Sequence, residues 1–274
     1  MNYILGGGMA GLIAAFYNPD FKIISPDIGG QEPLGPRLIQ KHPETHRLLR
    51  DLGFKDLEVK TAKIGFFYGG KLHTTCPKKL RTEYYIKTRQ VKPQEVPASI
   101  MSENKTSIEY YDVAWADLLA ALYNSVKDRW MGEKVSKITK QKITTNTGVK
   151  PYKKLISTLP APIFSKLSFT KLSCDFSAID KSFGEASSIF SKTDFDYIYF
   201  PEKKISINRA TKIDANKWLY EKVGRHDGMQ IIPKAQIKQD ADLDRMGNIK
   251  FIGRYAQWKH NVKIQQVVER SREW

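Results

Sequence analysis

The stretch NYILGGGMAGLIAAFYN, Asn2–Asn18, decides the fold. It contains Gly6, Gly8 and Gly11 in the spacing GxGxxG, after a short apolar run and before residues that favour helix. In a strand–turn–helix unit, the first glycine allows a tight turn, the second lets a diphosphate approach the backbone, and the third lets the helix pack closely on the strand. The stretch therefore predicts a dinucleotide-binding turn.

The residues after this turn suggest further contacts. Free N–H groups and the positive end of the helix dipole favour an anion at a helix N-terminus, so Met9 and Ala10 are predicted to contact the diphosphate. A second strand, Phe21–Ile24, is expected to end in an acid that accepts a hydrogen bond from a ribose hydroxyl. Ser25 occupies that place and Asp27 lies two residues beyond it, and the sequence does not decide between them.

Composition limits the class of protein and of partner. The chain of 274 residues has 45 Lys and Arg against 29 Asp and Glu, a formal net charge of +16, which favours anionic partners such as nucleic acid, nucleotides or anionic lipid. No apolar run reaches the roughly 18 residues that a membrane-spanning helix needs, and no basic residue precedes the opening run as in a signal peptide. We therefore expect a cytoplasmic protein without a membrane partner. Cys76 and Cys174 form no CxxC pair, so no metal site is expected.

A glycine doublet, Gly29–Gly30, follows the second strand within IGGQEPLGPR, residues 28–37. With this doublet the chain resembles the flavoproteins that have two dinucleotide-binding domains, in the branch of amine oxidases, desaturases and UDP-galactopyranose mutase. The resemblance implies FAD as the cofactor, with the doublet, Gln31 and Arg37 along its pyrophosphate and ribityl chain. It also implies an α/β fold, in which a Rossmann-like FAD-binding domain with a parallel sheet carries a smaller inserted α+β substrate domain.

The middle of the chain carries a second part of this resemblance. Apolar residues at helical spacing in residues 115–126 predict an amphipathic helix, and two strands with a turn at residues 146–148 follow it. Then KLISTLPAP, residues 154–162, is similar to a family strand that returns to the flavin. The resemblance implies that Val135 bonds adenine through its backbone. It also implies that a turn passes near the cofactor, formed by Thr158, Leu159 and Pro160.

The third part lies near the C-terminus, in FIGRYAQWKHNVKIQQVVE, residues 251–269. It resembles the closing motif of the family, a strand that ends in Gly–Arg or Gly–Asp before a last helix. By this match Gly253 and Arg254 lie beside the pyrophosphate and ribityl chain. The helix is expected to begin near Val262, after Asn261, and to point its N–H groups at the flavin C2 carbonyl, where they stabilise negative charge on the reduced ring.

Candidate catalytic residues come from two segments. YIYFPEKKISINRATK, residues 197–212, resembles the mutase-type segment that brings an arginine to the substrate side of the flavin. Arg209 is the candidate, with a structural salt bridge as the alternative, and Tyr199 lies in the same segment. In the closing motif, Trp258 is predicted to form a wall of the pocket. His260 is predicted to act as a base, with an ordinary structural histidine as the alternative.

Two inserts interrupt the predicted cofactor domain. The FAD-binding domain is expected to comprise residues 1–54, 111–165 and 246–274. The substrate domain is expected to comprise residues 55–110 and 166–245.

The first insert contains a stretch that is both basic and aromatic. Between residues 60 and 92, nine Lys and Arg stand against one acid, with five Phe and Tyr among them, and Gly69–Gly70 is typical of a tight hairpin turn. Basic groups follow a phosphate backbone and exposed aromatic rings stack on unpaired bases. The alternative is a hairpin whose aromatic face lies in the core and whose lysines lie in water. Six residues are predicted to contact nucleic acid: Lys71, Lys78, Lys79, Arg81, Lys87 and Arg89.

Together these features predict an FAD-dependent oxidoreductase of the amine-oxidase type. Its substrate is expected to be anionic, either a nucleotide or DNA with a hypermodified base, as for flavoenzymes of some bacterial viruses. Two alternatives stay open. One is a flavoenzyme similar to UDP-galactopyranose mutase that acts on a nucleotide sugar. The other is a non-catalytic, nucleotide-bound module that binds nucleic acid.

Overall fold

The computed structural model describes residues 1–29, 38–98, 104–169, 172, 178–187, 193–235, 247–259 and 262–273. Five of the predicted site residues lie outside the described residues: Gly30, Gln31, Arg37, His260 and Asn261.

The described residues form six α-helices and seventeen strands. The α-helices are α1 (Met9–Tyr17), α2 (Pro43–Asp51), α3 (Lys78–Arg89), α4 (Trp115–Val126), α5 (Ala161–Leu167) and α6 (Ile264–Ser271). The strands are β1 (Asn2–Gly7), β2 (Phe21–Ile28), β3 (Ile39–Gln40), β4 (Val59–Tyr68), β5 (Lys71–His73), β6 (Ser107–Tyr111), β7 (Trp130–Met131), β8 (Val135–Ile138), β9 (Lys142–Thr145), β10 (Gly148–Pro151), β11 (Lys154–Ser157), β12 (Ala178–Ser187), β13 (Tyr197–Tyr199), β14 (Ile207–Lys212), β15 (Lys217–Val223), β16 (Gln230–Ala235) and β17 (Ile249–Phe251).

The opening stretch folds as the strand, turn and helix that its glycines predict. β1 runs parallel to β2, with Ile4 beside Ile23. Side chains of a strand alternate between the two faces of its sheet. Ile4 is accordingly buried in the core that α1 contributes to, whereas Tyr3 and Leu5 are buried on the opposite face.

β1 is the central strand of a five-stranded parallel sheet in the order β17-β11-β1-β2-β7. Asn2 of β1 lies beside Lys154 of β11, and Leu155 of β11 lies beside Ile249 of β17. Parallel neighbours need crossover connections, which place helices against the sheet. Strands from the beginning, middle and end of the chain thus lie side by side, and the predicted Rossmann-like parallel sheet is confirmed.

α1, α4 and α6 cover one face of this sheet. The apolar spacing in residues 115–126 predicts a helix, and α4 buries Leu118, Leu122 and Val126 in the core on that face. None of the described helices is both long and apolar enough to span a membrane.

The opposite face is covered by a three-stranded antiparallel sheet, in the order β10-β9-β8. Ile138 and Ile143 of this sheet are buried against Tyr3 and Leu5 of β1. A two-residue turn joins β9 to β10, as the Asn-Thr-Gly sequence predicts. Helices on one side and a small sheet on the other thus bury both faces of the parallel sheet.

The two predicted inserts together build a second large sheet, in the order β16-β12-β15-β14-β13-β4-β6-β3, with β5 paired to β4. Its pairs are antiparallel apart from β13 with β4. The turn between β4 and β5 is Gly69–Gly70, and both glycines have positive φ, 57° and 76°, as a two-residue hairpin requires. β3 also joins this sheet, although the predicted boundaries put residues 39–40 in the cofactor domain.

Candidate cofactor groove and substrate cavity

Two glycines of the opening motif are required by close packing. Gly6 has φ of 101°, and a Cβ there would lie 2.6 Å from Thr158 Oγ1. A Cβ on Gly11 would lie 1.9 Å from the Gly6 carbonyl oxygen, which is backbone and cannot move aside. The first and third glycines therefore have the structural roles that the motif predicts for them.

Gly8 is different, because open space faces it. A Cβ on Gly8 would have no atom of the described structure within 4 Å, and its φ of −80° suits any residue. Gly8 precedes α1, whose first intrahelical bond runs from Leu12 N–H to the Gly8 carbonyl, and no described side chain caps this end. The N–H groups of Met9 and Ala10 thus face space that a diphosphate would fit.

The C-terminal segment closes over this turn. Gly253 has φ of 98°, and a Cβ there would lie 2.7 Å from the Ala10 Cβ in the first turn of α1. The Ile252 N–H donates to the carbonyl of Ser157 at the end of β11 (3.0 Å). Gly29 also reaches the turn, since its N–H donates to the Gly7 carbonyl (3.1 Å). The first and last parts of the chain therefore meet at one groove, which is the arrangement that the resemblance implies.

Thr158 fixes the shape of the turn from the side of β11. Its hydroxyl donates to the carbonyl of Leu5 (2.8 Å), next to Gly6. Leu159 lies beside Gly6 as well, and Pro160 caps α5. Thr158 and Leu159 thus lie beside the glycine turn, and the contact of all three residues with a cofactor stays a prediction. Val135, at the start of β8, packs against the core shared with the small sheet, and its contact with adenine stays a prediction.

The structure shows what each ribose candidate can offer. The hydroxyl of Ser25, which is buried, donates to the carbonyl of Asp27 (2.8 Å). Its hydrogen is therefore occupied, and it can offer a ribose hydroxyl only an acceptor. The side chain of Asp27 is exposed. Both assignments stay predictions.

The last helix begins two residues later than expected, at Ile264. The Lys263 N–H is capped by the Gln266 side chain (Oε1, 2.9 Å), which fixes Lys263 as the residue before the helix. Val262 is instead buried in the core, and its carbonyl accepts from the Arg254 guanidinium (3.3 Å). The capping side chain decides this boundary, which the resemblance places only approximately, near Val262.

A cavity of about 880 Å³ lies between α3, the second sheet and the segment before α6. Three tyrosines line it, Tyr84, Tyr85 and Tyr199. Seven basic residues and two acidic residues also line it: Lys41, Arg81, Arg89, Lys105, Lys181, Arg209, Lys263, Glu109 and Glu221. This excess of positive charge favours an anionic ligand.

Arg209 and Tyr199 both line this cavity and are neighbours across β13 and β14. The Arg209 guanidinium donates through Nη2 to Glu221 Oε2 (2.9 Å), so the salt bridge that was the alternative reading of Arg209 is present. Burial opposes the charge of Arg209, but the Glu221 carboxylate and the nearby tyrosines together outweigh burial and raise the pKa of Arg209. Its Nε is buried without a hydrogen-bond partner among the described atoms.

Glu221 joins two cations from different strands. Lys181 of β12 lies 3.7 Å from the second carboxylate oxygen of Glu221, and it also donates to the carbonyl of Thr88 in α3 (3.0 Å). The sequence pattern did not single out Lys181 or Glu221. A signal was available for Glu221, a charged residue that directly follows the apolar run Trp218–Tyr220, but Lys181 lies between the polar residues Asp180 and Ser182 and gives no such signal.

Aromatic rings form one side of the cavity. The Tyr84 ring meets the Tyr199 ring edge-on at 5.4 Å, and Tyr199 stacks on Phe66 at 6.0 Å. Burial, followed by the nearby Tyr199 and Glu221, raises the pKa of Tyr84 well above its ordinary value. The Tyr84 hydroxyl is therefore protonated at neutral pH and can donate a hydrogen bond to an anion.

The six residues predicted to contact nucleic acid do not share one surface. Lys71, Lys78 and Lys79 are exposed, whereas Arg81 and Arg89 line the cavity. The stretch is thus neither a uniform basic strip nor a solvated hairpin face.

The position of Lys87 contradicts its predicted contact with nucleic acid. Its ammonium group donates to three backbone carbonyls, of Ile207 (2.7 Å), Phe200 (2.9 Å) and Glu202 (3.3 Å). These contacts use all three of its N–H bonds, so it has none left for a phosphate. The cause is the helical phase of α3, which turns Lys87 toward the sheet.

The position of Trp258 also differs from the one predicted, a wall of the pocket. It has φ of 50° within a tight turn, in which the Gln257 N–H donates to the Gly253 carbonyl (3.0 Å). This turn directs the indole into the core against Ala161 at the start of α5. Trp258 is buried there and is not among the residues that line the cavity, so it does not form the predicted wall.

No protein-family model and no curated protein matches the sequence. Solved structures are similar over nearly the whole chain. Reduced UDP-galactopyranose mutase is 12% identical with a TM-score of 0.69, covering 97% of this chain and 92% of the mutase. Cyclohexylamine oxidase from Brevibacterium oxydans IH-35A is 10% identical with a TM-score of 0.67, covering 99% of this chain and 97% of the oxidase. Putrescine oxidase bound to putrescine is 9% identical with a TM-score of 0.63, covering 99% and 97%. The chain therefore shares the fold of these solved structures.

Proposed function

We propose that this protein is an FAD-dependent oxidoreductase of the amine-oxidase type that acts on an anionic substrate. The observation that carries the proposal is the open turn at Gly8. The C-terminal segment closes over this turn and also borders the basic cavity. Arg254 follows Gly253 in that segment. Lys263, ten residues after Gly253 in the same part of the chain, lines the cavity.

The groove residues fit an adenine dinucleotide. The absence of a side chain at Gly8 leaves room for the diphosphate, and the N–H groups of Met9 and Ala10 would hold it. Thr158 keeps the turn in shape through its bond to the Leu5 carbonyl. FAD, when bound, supplies a hydride acceptor for the carbon beside the substrate nitrogen, which leaves the substrate as an imine.

The charge of the cavity would act on the substrate in two ways. It favours a phosphate or carboxylate, for which arginine is the best-shaped partner. It also disfavours a protonated amine, so it lowers the pKa of the amine and raises the fraction in the unprotonated form that gives up a hydride. Arg209 would bind the anion through the exposed part of its side chain at the cavity, while Glu221 holds its Nη2.

The test uses the holoprotein without oxygen. Phosphoethanolamine, or an oligonucleotide with an aminomethyl group on one pyrimidine, should bleach the visible flavin absorbance, and air should restore it with release of peroxide. Arg209→Met should weaken the apparent affinity for the phosphorylated amine about tenfold, the loss of one charged hydrogen bond. Arg225→Met removes an exposed arginine and should leave the apparent affinity for the phosphorylated amine unchanged. A protein that binds no flavin, or whose flavin neither amine bleaches, would contradict the proposal.

A second candidate is a flavoenzyme that acts on a nucleotide sugar, as the name of the mutase suggests for that relative. The tyrosines beside the arginines of the cavity favour it, because a base stacks on aromatic rings and a diphosphate binds arginine. The two candidates need different states of the flavin. UDP-galactopyranose should be converted only by protein reduced beforehand, whereas an amine should bleach the oxidised protein.

We also propose that the anionic substrate is carried on nucleic acid. Lys78 and Lys79 are exposed in the first turn of α3, between Cys76 and Arg81, both of which line the cavity. Lys71 is exposed next to the hairpin turn of the same insert. Enzymes that act on a base move it out of the stack into a pocket. Lysines beside such a pocket would hold the flanking phosphates.

Replacing Lys71, Lys78 and Lys79 by glutamate should weaken binding of a single-stranded oligonucleotide about 100-fold at low salt and reduce the salt slope by about three. The control replaces Lys137, Lys140 and Lys142, which are exposed on or beside the small antiparallel sheet and give the same change in net charge. Filter binding over a salt series measures both variants. Equal losses in the two variants would mean that overall charge, and not this surface, binds the nucleic acid.

A further inference from the structure

α3 forms one wall of the cavity although little of it is buried. Five of its residues line the cavity: Arg81, Tyr84, Tyr85, Thr88 and Arg89. Of the twelve residues of this helix, all of them described, only Thr88 is buried. Most of the stability of a helix in a protein comes from packing of an apolar face. Polar contacts must therefore set the position of α3.

The hydrogen bonds of Lys87 are the main such contacts. The three carbonyls that its ammonium meets belong to Phe200, Glu202 and Ile207, in and between the ends of β13 and β14. They tie the last turn of α3 to the two strands that carry Tyr199 and Arg209 on the other side of the cavity. An ammonium has three N–H bonds, and each is directed to one of these carbonyls.

Lys181 makes a second contact to the same turn. Its ammonium donates to the carbonyl of Thr88, one of the last four carbonyls of α3, which have no partner within a helix. A cation at a helix C-terminus also interacts favourably with the helix dipole. Two lysines from opposite sides thus hold the turn that carries Arg89.

We propose that Lys87 is a positioning residue, whose protonated side chain holds the last turn of α3, and with it Arg89, in place at the cavity. The contact itself is independent of the reaction. Its consequence for ligand binding rests on the proposed function, in which this cavity takes an anionic substrate.

The protonation of Lys87 gives the proposal a pH dependence. Burial, followed by the charge of Lys181, lowers the pKa of Lys87 to about 8, and Glu202 opposes them. The neutral amine still has two N–H bonds for the three carbonyls. A pKa below that of an ordinary lysine means that the folded surroundings favour this neutral form.

Opening of the last turn of α3 should respond to pH as global unfolding does, because both release Lys87 to water. Between the pKa of folded Lys87 and the higher pKa of an ordinary lysine, the opened or unfolded chain binds a proton that the folded chain does not. The contribution of Lys87 to the free energy of opening and of unfolding thus rises with pH in this window.

Hydrogen exchange of the holoprotein, corrected for the intrinsic pH dependence of amide exchange, tests the contact without any ligand. The amides of the last turn of α3 should exchange about tenfold faster in Lys87→Met than in the wild type, with the rest of the protein unchanged. In the wild type the same amides should gain protection as the pH rises above the pKa of Lys87, and this gain should be absent in Lys87→Met. Lys166→Met, an exposed lysine in the last turn of α5, is the matched control and should change neither. Unchanged exchange in Lys87→Met, or pH-independent protection in the wild type, would overturn the proposal.

Inorganic pyrophosphate is the probe for the consequence. Its affinity, measured by calorimetry, should fall about tenfold in Lys87→Met. Flavin content should stay at one level in all variants, because Lys87 does not contact the groove. If the wild type binds no pyrophosphate while α3 responds as expected, the anionic substrate is wrong and the positioning role stands.

Discussion

Gly8→Val is expected to give a folded protein that does not bind FAD. A Cβ at this position meets nothing within 4 Å, and the φ of −80° suits valine, so the fold should accept the change. The added methyl groups would occupy the space in front of the first N–H groups of α1. A loss of about 3 kcal/mol in binding free energy corresponds to roughly 100-fold weaker binding. Gly11 would not serve for this experiment, since a Cβ there meets backbone at 1.9 Å and would disturb the fold itself.

Flavin absorbance of the purified protein and titration of the apoprotein with FAD measure this effect, with circular dichroism as the check on folding. The matched control is Ala114→Val, which adds similar bulk at the exposed residue before α4, outside the groove. That variant should bind FAD as the wild type does. A yellow Gly8→Val protein would mean that the cofactor does not lie at this turn, and the proposed function would fall with it.

Glu221→Ala is expected to lower the free energy of unfolding by about 3 kcal/mol, because removing one partner of a buried ion pair leaves an uncompensated charge. The carboxylate lies 2.9 Å from Arg209 and 3.7 Å from Lys181, whose side chain is only 5% exposed. Arg209 is 30% exposed, so we expect a loss in the free energy of unfolding at the lower end of the range measured for broken buried ion pairs. The cavity should also bind pyrophosphate more tightly, since its positive charge is then less opposed.

Urea denaturation of Glu221→Ala and of a matched control, Glu185→Ala, tests this prediction. Glu185 pairs with Lys217 on the same sheet, but both side chains are about half exposed, and exposed pairs contribute less than about 1 kcal/mol. Equal shifts in the two variants would show that Glu221 is not a buried partner of two cations. A large shift without tighter pyrophosphate binding would separate its structural role from the charge of the cavity.

The elements that the sequence predicts well are those whose signal is local. The spacing of Gly6, Gly8 and Gly11 reports a backbone requirement, and the structure shows which atoms impose it at two of the three positions. The burial of α4 follows from its apolar period, and the hairpin at Gly69–Gly70 from the positive φ that only such a pair adopts easily. Arg209 and Tyr199 line one cavity, and only the resemblance, not a local pattern, pointed to these two residues.

The parts that could not be predicted depend on contacts between distant residues. Glu221, Lys181 and the carbonyl of Thr88 come from three elements, and no spacing along the chain relates them. Lys87 counted as one more cation in a basic stretch, because its orientation depends on how α3 lies on the sheet. The direction of Trp258 depends on a positive φ in a turn without glycine at that position.

The order of strands in the parallel sheet has a consequence for how the protein would acquire the proposed cofactor. β1 leaves the ribosome long before its neighbour β11, which lies about 150 residues further along the chain, and Gly253 follows later still. A nascent polypeptide can form the glycine turn early, but it cannot enclose a dinucleotide until synthesis has passed the closing segment. Flavin capture would therefore be a late event in biogenesis, and until then β1, paired only with β2, has one unsatisfied edge that a chaperone would need to shield.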